Sequence, residues 1–314
     1  MTVRVAVVGV GHLGKHHARI LSALPGVELV AVVDINQARA TQIAAAHHTT
    51  PLFDARELTG RVDAVTIAVP TEAHRDVALP FLDAGVGVLV EKPMARSLAE
   101  ADEMIAASAK ADARAGATLA VGHTERFNPA VAAARPHLRD PRFIEVHRLG
   151  TFPERSLDID VVFDLMIHDL DVVLSLVRSD VASIDAVGVP VLTGRVDIAN
   201  ARLRFANGCI ANLTASRISR DRVRKIRFFQ PSAYLSIDYA AQKVEMYRLE
   251  KGSGPMPSIQ GGDLDVVNQE PLKLELADFV DAVAKRRAPI VSGAEGRRAL
   301  AVAQQITAKI QAAS

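Results

Sequence analysis

The sequence lacks the features of a disulfide-stabilised, membrane-spanning or nucleic-acid-binding protein. Its 314 residues include one cysteine, Cys209, which excludes an intramolecular disulfide and indicates a reducing, cytoplasmic compartment. The formal net charge is +1, so no charge excess directs the chain to nucleic acid or to an anionic membrane. No apolar run approaches the ~18 residues of a membrane span. The apolar start, Val3 to Val10, contains glycines that fit a nucleotide-binding turn better than a signal peptide.

What remains is an ordinary globular composition, 49% hydrophobic and 23% charged, in a chain long enough for two domains. Residues 1–122 alternate short apolar runs with helix-like segments, the pattern of βαβ units with a parallel sheet. The expected strands are Val3–Val8, Glu28–Val33, Ala64–Val69, Gly87–Val90 and Thr118–Val121. The expected helices are His12–Ala23, Gln37–His47, His74–Ala84 and Leu98–Ala113. This part is predicted to be an α/β Rossmann domain with a doubly wound, mostly parallel sheet.

Residues 123–314 change pattern and predict an α+β domain with an open, mostly antiparallel sheet, suited to substrate binding and oligomerisation. The helix Asp164–Arg178 precedes a series of alternating runs, and Asn207-Gly208 is a strong hairpin signal between two of them. The expected strands are Ala182–Leu192, Val196–Phe205, Cys209–Ser216, Val223–Gln230, Tyr234–Asp238 and Lys243–Leu249. Gly252–Gly262 is expected to be a loop. Two helices, Glu275–Arg287 and Ala294–Ala313, are expected at the end, separated by the strand-like Pro289–Val291.

A glycine-rich turn after the first strand predicts a dinucleotide site. Gly9, Gly11 and Gly14 form Gly-x-Gly-x-x-Gly, with His12 and Leu13 inside it, between an apolar strand and a helix. The glycines permit a tight turn and close approach of the backbone to a pyrophosphate. Asp34 ends the second strand, where a carboxylate binds a ribose diol and repels a 2′-phosphate, so NAD is favoured over NADP. Arg39 nearby weakens that preference, and the alternative is a glycine turn with a helix-capping Asp34 and no ligand.

Two further strands end in residues suited to chemistry. The third expected strand runs into Pro70-Thr71 and His74, and the fourth runs into Glu91-Lys92-Pro93. Ligands of open α/β sheets lie beyond the carboxyl ends of the strands, so both segments point at the cofactor. Pro93 keeps Lys92 out of helical conformation and holds it on extended backbone.

A carboxylate–imidazole pair follows in the second half. If Asp164, His168 and Asp171 lie on one helix, they share a face. A carboxylate beside an imidazole suits a general base. The spacing is explained equally well by a carboxylate that interacts favourably with the helix dipole at the N-terminus and a histidine that only packs nearby. Metal binding is disfavoured because no second histidine or thiol stands at ligand spacing.

Together these motifs, with Gly122-His123-x-x-Arg126-Phe127-Asn128-Pro129 and the C-terminal Pro289–Gly296, resemble the Gfo/Idh/MocA family of oxidoreductases over the whole chain. The resemblance implies hydride transfer between a sugar or cyclitol hydroxyl and NAD(P). It implies that Lys92 positions the reacting oxygen, that His168 is the general base, and that Asp164 is its partner or a hydroxyl ligand. It also places Arg126 and Asn128 near the substrate, and Pro70, Thr71, His74 and Glu91 near the cofactor. A homodimer or homotetramer is implied as well.

Within the family, Ser156–Phe163 replaces a glycine-rich stretch that many relatives have before Asp-x-x-x-His. This feature is similar to nucleotide-sugar members, the UDP-N-acetylglucosamine 3-dehydrogenase subgroup, whose product would be a 3-keto sugar. Arg148 and Arg155 would then meet a diphosphate, or else lie on the surface. The alternatives are a free-sugar or inositol-type dehydrogenase and, in another class, a non-catalytic NAD-binding sensor. Biliverdin-reductase-like chemistry would leave Asp164 and His168 without a role.

Overall fold

The computed structural model describes residues 2–112, 117–152, 159–250 and 258–313. Its contacts divide the chain into two compact units, Met1–Thr124 with Leu272–Leu300, and Glu125–Pro271 with Ala301–Ser314. The sequence predicts a single boundary after residue 122, which would place residues 272–300 in the second domain. In the structure these residues belong to the first unit. The two units are therefore described by their own contacts.

The first unit contains a six-stranded parallel sheet in the order β3-β2-β1-β4-β5-β6, the Rossmann order. The strands are β1 Val3–Val8, β2 Val27–Val33, β3 Thr50–Leu52, β4 Ala64–Ile67, β5 Gly87–Glu91 and β6 Leu119–Gly122. Its helices are α1 Gly14–Leu21, α2 Gln37–Ala46, α3 His74–Asp83, α4 Leu98–Asp112 and, from the later segment, α7 Pro271–Lys285. The Rossmann prediction is confirmed.

The sheet of the first unit is held by apolar side chains from strands and helices. Val5 and Val7 of β1 are fully buried, and they belong to one core cluster with Leu21 of α1 and Leu276 and Phe279 of α7. Removing such side chains from water contributes about 1.5–3 kcal/mol each. Helix α7 therefore completes the core of a unit to which it is distant in sequence.

The second unit contains an eight-stranded sheet in the order β14-β13-β12-β11-β7-β10-β9-β8. Its strands are β7 Phe143–Leu149, β8 Val181–Val189, β9 Ile198–Phe205, β10 Ile210–Ser216, β11 Val223–Gln230, β12 Ala233–Asp238, β13 Lys243–Glu250 and β14 Ser258–Asp263. Strands β7 and β10 pair in parallel and the other neighbours are antiparallel. The helices are α5 Pro129–Ala134, α6 Ile167–Val177 and, from residue 301 onward, α8 Gly293–Ala313. The mostly antiparallel sheet is confirmed.

Three local expectations about the backbone differ from the structure. The prediction of a loop at Gly252–Gly262 is wrong from residue 258 onward, because Ser258–Asp263 is a strand that pairs with β13. Residues 252–257 lie outside the described residues. Pro289–Val291 is not a strand: a single bridge joins Ala120 to Ser292, and the Val121 amide donates to the Val291 carbonyl. The short edge strand β3 contains Pro51, which an edge position tolerates and which hid it from the pattern.

Two kinds of feature are absent from the described residues. None of the helices there combines the length and apolar character needed to cross a bilayer. In the same residues, no three or more His, Cys, Asp and Glu side chains are arranged to hold a metal ion.

Candidate active site

The glycine-rich turn joins β1 to α1 in the geometry that a dinucleotide requires. A Cβ added to Gly14 would lie 1.8 Å from the Gly9 carbonyl oxygen, so the turn and the first residue of the helix pack too closely for any side chain. His12 and Leu13 lie exposed on this turn. At the start of α1 the Lys15 amide donates to the Gly11 carbonyl oxygen at 3.2 Å and the His16 amide to that of Leu13 at 2.8 Å, and the positive end of the helix dipole faces the turn. This part of the first unit fits NAD(P).

Asp34, at the end of β2, is buried and linked to the glycine-rich turn. Its Oδ2 accepts from the Val10 amide at 3.0 Å, and its Oδ1 accepts from the Asn36 amide at 2.8 Å. The Arg39 guanidinium also binds both oxygens, through Nη2 and Nε at 3.1 Å. Arg39 is 45% exposed in its side chain, so it covers the Asp34 carboxylate from the solvent side. A ribose diol that binds Asp34 must therefore displace Arg39.

The segment after β4 is fixed by His74. Pro70 is exposed and precedes a short turn, Thr71–Ala73, from which α3 continues. The His74 ring is buried, with Nε2 2.9 Å from the Val69 carbonyl oxygen and Nδ1 3.0 Å from that of Pro93. Burial lowers the pKa of His74, against the opposing effect of these carbonyls. His74 thus ties together two segments expected to line the cofactor.

Lys92 follows β5 directly and is half-buried, and its peptide bond to Pro93 is cis. The preceding residue, Glu91, is buried and directed inward. Its Oε1 lies 3.0 Å from Nε2 of His17, a fully buried residue of α1, and its Oε2 accepts from the Lys92 amide at 3.2 Å. Glu91 was expected near the cofactor, and the structure shows its carboxylate bonded to the protein interior.

Asp164 and His168 lie at the start of α6 in the second unit. Residues Val162–Met166 form a π-helical turn that continues into α6, and both Asp164 and His168 are half-buried. Single π turns inside helices are frequent at functional sites. Asp171, expected on the same face, is buried and accepts from Arg126 Nη1 at 3.3 Å.

A buried ion cluster lies beside this helix. Arg148 of β7 donates from Nε and Nη2 to the two oxygens of Asp169, at 2.6 and 3.0 Å, and from Nη1 and Nη2 to Glu125 at 3.1 Å. Its guanidinium carbon lies 5.4 Å from the centre of the Tyr239 ring. Burial alone would lower the pKa of Arg148, but Asp169 and Glu125 outweigh it and raise that pKa. With 4% exposure, Arg148 is not the surface residue that one sequence interpretation expected.

The remaining predicted substrate residues differ in their placement. Arg126 is buried, and its Nη1 also donates to the Asp171 carbonyl at 3.3 Å. Asn128 caps α5 by accepting from the Ala130 amide, and its side chain donates to Glu125 and to the Tyr239 carbonyl. Arg155 lies outside the described residues.

His17 was missed from the sequence, and Arg148 was expected to meet a diphosphate or to lie on the surface, not to be a buried ion-pair partner. His17 occupies the apolar face of α1, three residues after Gly14, and a polar residue in such a stripe is the signal that could have revealed it. Arg148 lies on β7, where the inward positions are Ile144, Val146 and Arg148. That alternation could have predicted a strand with an inward arginine, but the charged composition of the segment obscured it.

Comparison with known proteins agrees with this geometry. Residues 3–122 match the NAD-binding Rossmann fold of the Gfo/Idh/MocA oxidoreductase family, and residues 131–230 match the family's C-terminal domain. The chain belongs to this family. The recognition made from the motifs is thereby confirmed, as is the assignment to dehydrogenase-type oxidoreductases.

Individual relatives differ in how much of the chain they match. UDP-N-acetylglucosamine 3-dehydrogenase of Acidithiobacillus ferrooxidans is 37% identical, covering 99% of this chain and 98% of that protein. A solved structure of that enzyme superposes with a TM-score of 0.92 over 99% of this chain and 98% of its own. Inositol 2-dehydrogenase of Rhizobium meliloti is 31% identical over 69% of each chain. A levoglucosan dehydrogenase structure, 18% identical with a TM-score of 0.88, shares the fold.

Proposed function

We propose that this protein is an NAD-dependent dehydrogenase that oxidises the C3 hydroxyl of UDP-N-acetylglucosamine to a 3-keto sugar. The observation that carries the proposal is the similarity to the Acidithiobacillus ferrooxidans enzyme along the full length of both chains. The inositol 2-dehydrogenase match covers about two thirds of each chain. Similarity that extends over both units supports a shared substrate class better than a partial match does.

In the proposed reaction, Lys92, His168 and Asp164 act on one hydroxyl group. NAD, when bound, supplies the hydride acceptor. His168 removes the hydroxyl proton, and Asp164 orients its ring or binds a neighbouring hydroxyl. The Lys92 ammonium donates a charge-assisted hydrogen bond to the oxygen as negative charge develops there. Arg126 and Asn128 support the substrate site from the interior, because their polar groups bond to buried partners.

The cofactor preference depends on Asp34 and Arg39. We propose that NAD is preferred, with the ribose diol taking the place that Arg39 occupies on Asp34. When NADP binds in place of NAD, Arg39 would turn from Asp34 to the 2′-phosphate, so that NADP is tolerated. Arg39→Ala should raise KM for NADP at least about tenfold, as loss of one phosphate-binding cation predicts, and should leave KM for NAD unchanged or lower it, because the diol no longer has to displace Arg39. Arg56→Ala, which removes an exposed arginine paired with Asp54, is the control. Equal changes for both cofactors would contradict this assignment.

A homo-oligomer and a cytoplasmic location complete the proposal. Four aromatic side chains form a continuous row across β7, β11, β12 and β13, with ring centres 5.3–6.4 Å apart: Phe143, Phe229, Tyr234 and Tyr247. Tyr247 is 43% exposed, so part of this row is open to a second copy. Light scattering on the purified protein tests the dimer or tetramer, and a monomer at all concentrations would contradict it. The buried free thiol of Cys209 accords with a reducing compartment.

The direct test is NADH formation with UDP-N-acetylglucosamine, other nucleotide sugars, free hexoses and inositols. Turnover restricted to UDP-N-acetylglucosamine is the expected result. Turnover of free polyols alone would select a cyclitol or sugar dehydrogenase, and cofactor binding without any turnover would favour the sensor.

The catalytic assignment needs its own variants. Lys92→Ala and His168→Ala should each lower kcat by about 100-fold or more, the range expected for loss of a group acting in the transition state. Affinity for NADH should change little. Lys110→Ala, at an exposed position near the end of α4, is the matched control. Normal turnover by Lys92→Ala would show that Lys92 is not catalytic.

A further inference from the structure

We propose that the buried His17–Glu91 pair is a positioning pair for Lys92, which it holds by the backbone. The proposal rests on the proposed function in one respect, that Lys92 acts on the substrate. Neither His17 nor the Glu91 side chain is placed in the reaction itself.

One carboxylate, that of Glu91, is shared between His17 and the Lys92 amide. Oε1 of Glu91 bonds to His17 on α1 at 3.0 Å, and Oε2 accepts from the Lys92 amide at 3.2 Å. One side chain thus connects the helix that follows the glycine-rich turn with the backbone of the residue that carries the reactive amine. Both donors are on regular elements or directly beside one, so their spacing is fixed.

The Glu91 carboxylate also lies against the backbone of Gly122, where a side chain would crowd it. A Cβ added to Gly122 of β6 would lie 3.0 Å from Cδ and Oε2 of Glu91 and 3.1 Å from Oε1. Contacts at this distance are tighter than side chains ordinarily make, so even a methyl group at residue 122 would displace the carboxylate. The absence of a side chain at Gly122 is what permits the observed orientation of Glu91.

The backbone on the other side of Lys92 is anchored as well. The Pro93 carbonyl oxygen lies 3.0 Å from His74 Nδ1, and His74 Nε2 lies 2.9 Å from the Val69 carbonyl oxygen. Lys92 therefore lies between two anchored peptide groups, one held by Glu91 and one held by His74. A buried pair serving stability alone needs no bond to the Lys92 amide. The bond at 3.2 Å is the specific link to the chemistry.

Three variants separate positioning from simple stability. Glu91→Ala removes both bonds, His17→Leu removes the support of the carboxylate, and Glu91→Gln keeps an acceptor for the Lys92 amide. A misplacement of about 1 Å can cost about 100-fold in rate, so Glu91→Ala and His17→Leu should lower kcat at least tenfold. Glu91→Gln should recover a large part of that loss. The dissociation constant for NADH should change less than about threefold, since no phosphate contact is removed. His47→Gln, on the same unit, is the control.

The decisive readout is the titration of Lys92 itself, followed by NMR of ¹³C-methylated lysines, with Lys92→Arg identifying its signal. Glu91→Ala and His17→Leu should each shift the pKa of Lys92, and the limb of the kcat–pH profile that reports this group should shift with it. Glu91→Gln should restore both the pKa and the profile toward the wild type. Should Glu91→Ala not fold, His17→Leu and Glu91→Gln still make the comparison. Variants with lower melting temperatures but with wild-type kcat and Lys92 titration would overturn the proposal. If the wild-type protein turns over none of the tested sugars, the proposed function fails, while the Lys92 titration still tests the positioning.

Discussion

Replacing Arg148 with methionine should destabilise the second unit strongly. The change leaves Asp169 and Glu125 without the guanidinium that bonds to both at 2.6–3.1 Å. Breaking a buried ion pair by removing one partner costs about 3–5 kcal/mol, because the other charge remains buried. At about 2–4 °C per kcal/mol for a unit of this size, the melting temperature of that unit should fall by roughly 6–20 °C.

Differential scanning calorimetry resolves this effect from unfolding of the first unit. Arg227→Met is the matched control, because Arg227 pairs with Glu145 between β11 and β7 at positions about one third exposed. An exposed pair contributes about 0.2–1 kcal/mol, so the control should shift the transition by a few degrees at most. Arg148→Lys keeps the positive charge but loses the bidentate geometry of the guanidinium. Its melting temperature should therefore lie between those of Arg148→Met and Arg227→Met.

The loss caused by Arg148→Met should also depend on pH. Burial raises the pKa of the Asp169 carboxyl, and the variant lacks the guanidinium that opposes this. A group whose pKa is raised on folding favours the folded state at pH values below its unfolded pKa, and this contribution is lost as the pH rises through the folded pKa. The deficit of Arg148→Met should therefore shrink as the pH falls toward about 4. Equal transitions for Arg148→Met and Arg227→Met at every pH would refute the reasoning.

Three further predictions, two substitutions and one labelling experiment, test separate features of the structure. Gly122→Ala should lower the free energy of unfolding by about 1–3 kcal/mol, because the added methyl group crowds the Glu91 carboxylate, and the midpoint of urea unfolding should fall. Gly194→Ala, with open space around residue 194, should leave that midpoint unchanged. Burial would raise the pKa of Asp197, but amide donors, chiefly Leu192, and the guanidinium of Arg217 lower it. The stability lost in Asp197→Asn at neutral pH should therefore diminish below about pH 4, as acid protonates the wild-type carboxyl. Burial raises the pKa of Cys209 to about 11, so a thiol reagent should label the native protein far more slowly than the unfolded chain; equal rates would contradict this.

The cofactor half of the site follows from sequence because its requirements are local. The glycine spacing, the strand before it and Asp34 twenty residues later each reflect a backbone or charge constraint within one βαβ unit. The structure shows that constraint directly, since Gly14 has no space for a side chain against Gly9. Local patterns also identify Lys92 at the end of β5, although they do not reveal which way Glu91 turns.

The sequence does not reveal the partners of the buried charges, because they are distant along the chain. Glu91 meets His17 across 74 residues, and Arg148 meets Asp169 across 21. A single sequence shows a charged residue in each case and indicates a solvated side chain. Only the folded sheets bring these groups together and bury them, as the unexpected strand β7 does for Arg148.

The two units support their proposed catalytic residues in a similar way. Lys92 follows directly after Glu91, and His168 directly precedes Asp169; both carboxylates are buried and bonded to a basic side chain. Apolar residues at these positions would stabilise a core as well or better, because burying ions incurs a large desolvation cost. A directional bond, however, fixes the orientation of the adjacent backbone, which apolar packing does less specifically. The cost of burying these two polar pairs is therefore physically reasonable where the neighbouring residue must hold one position.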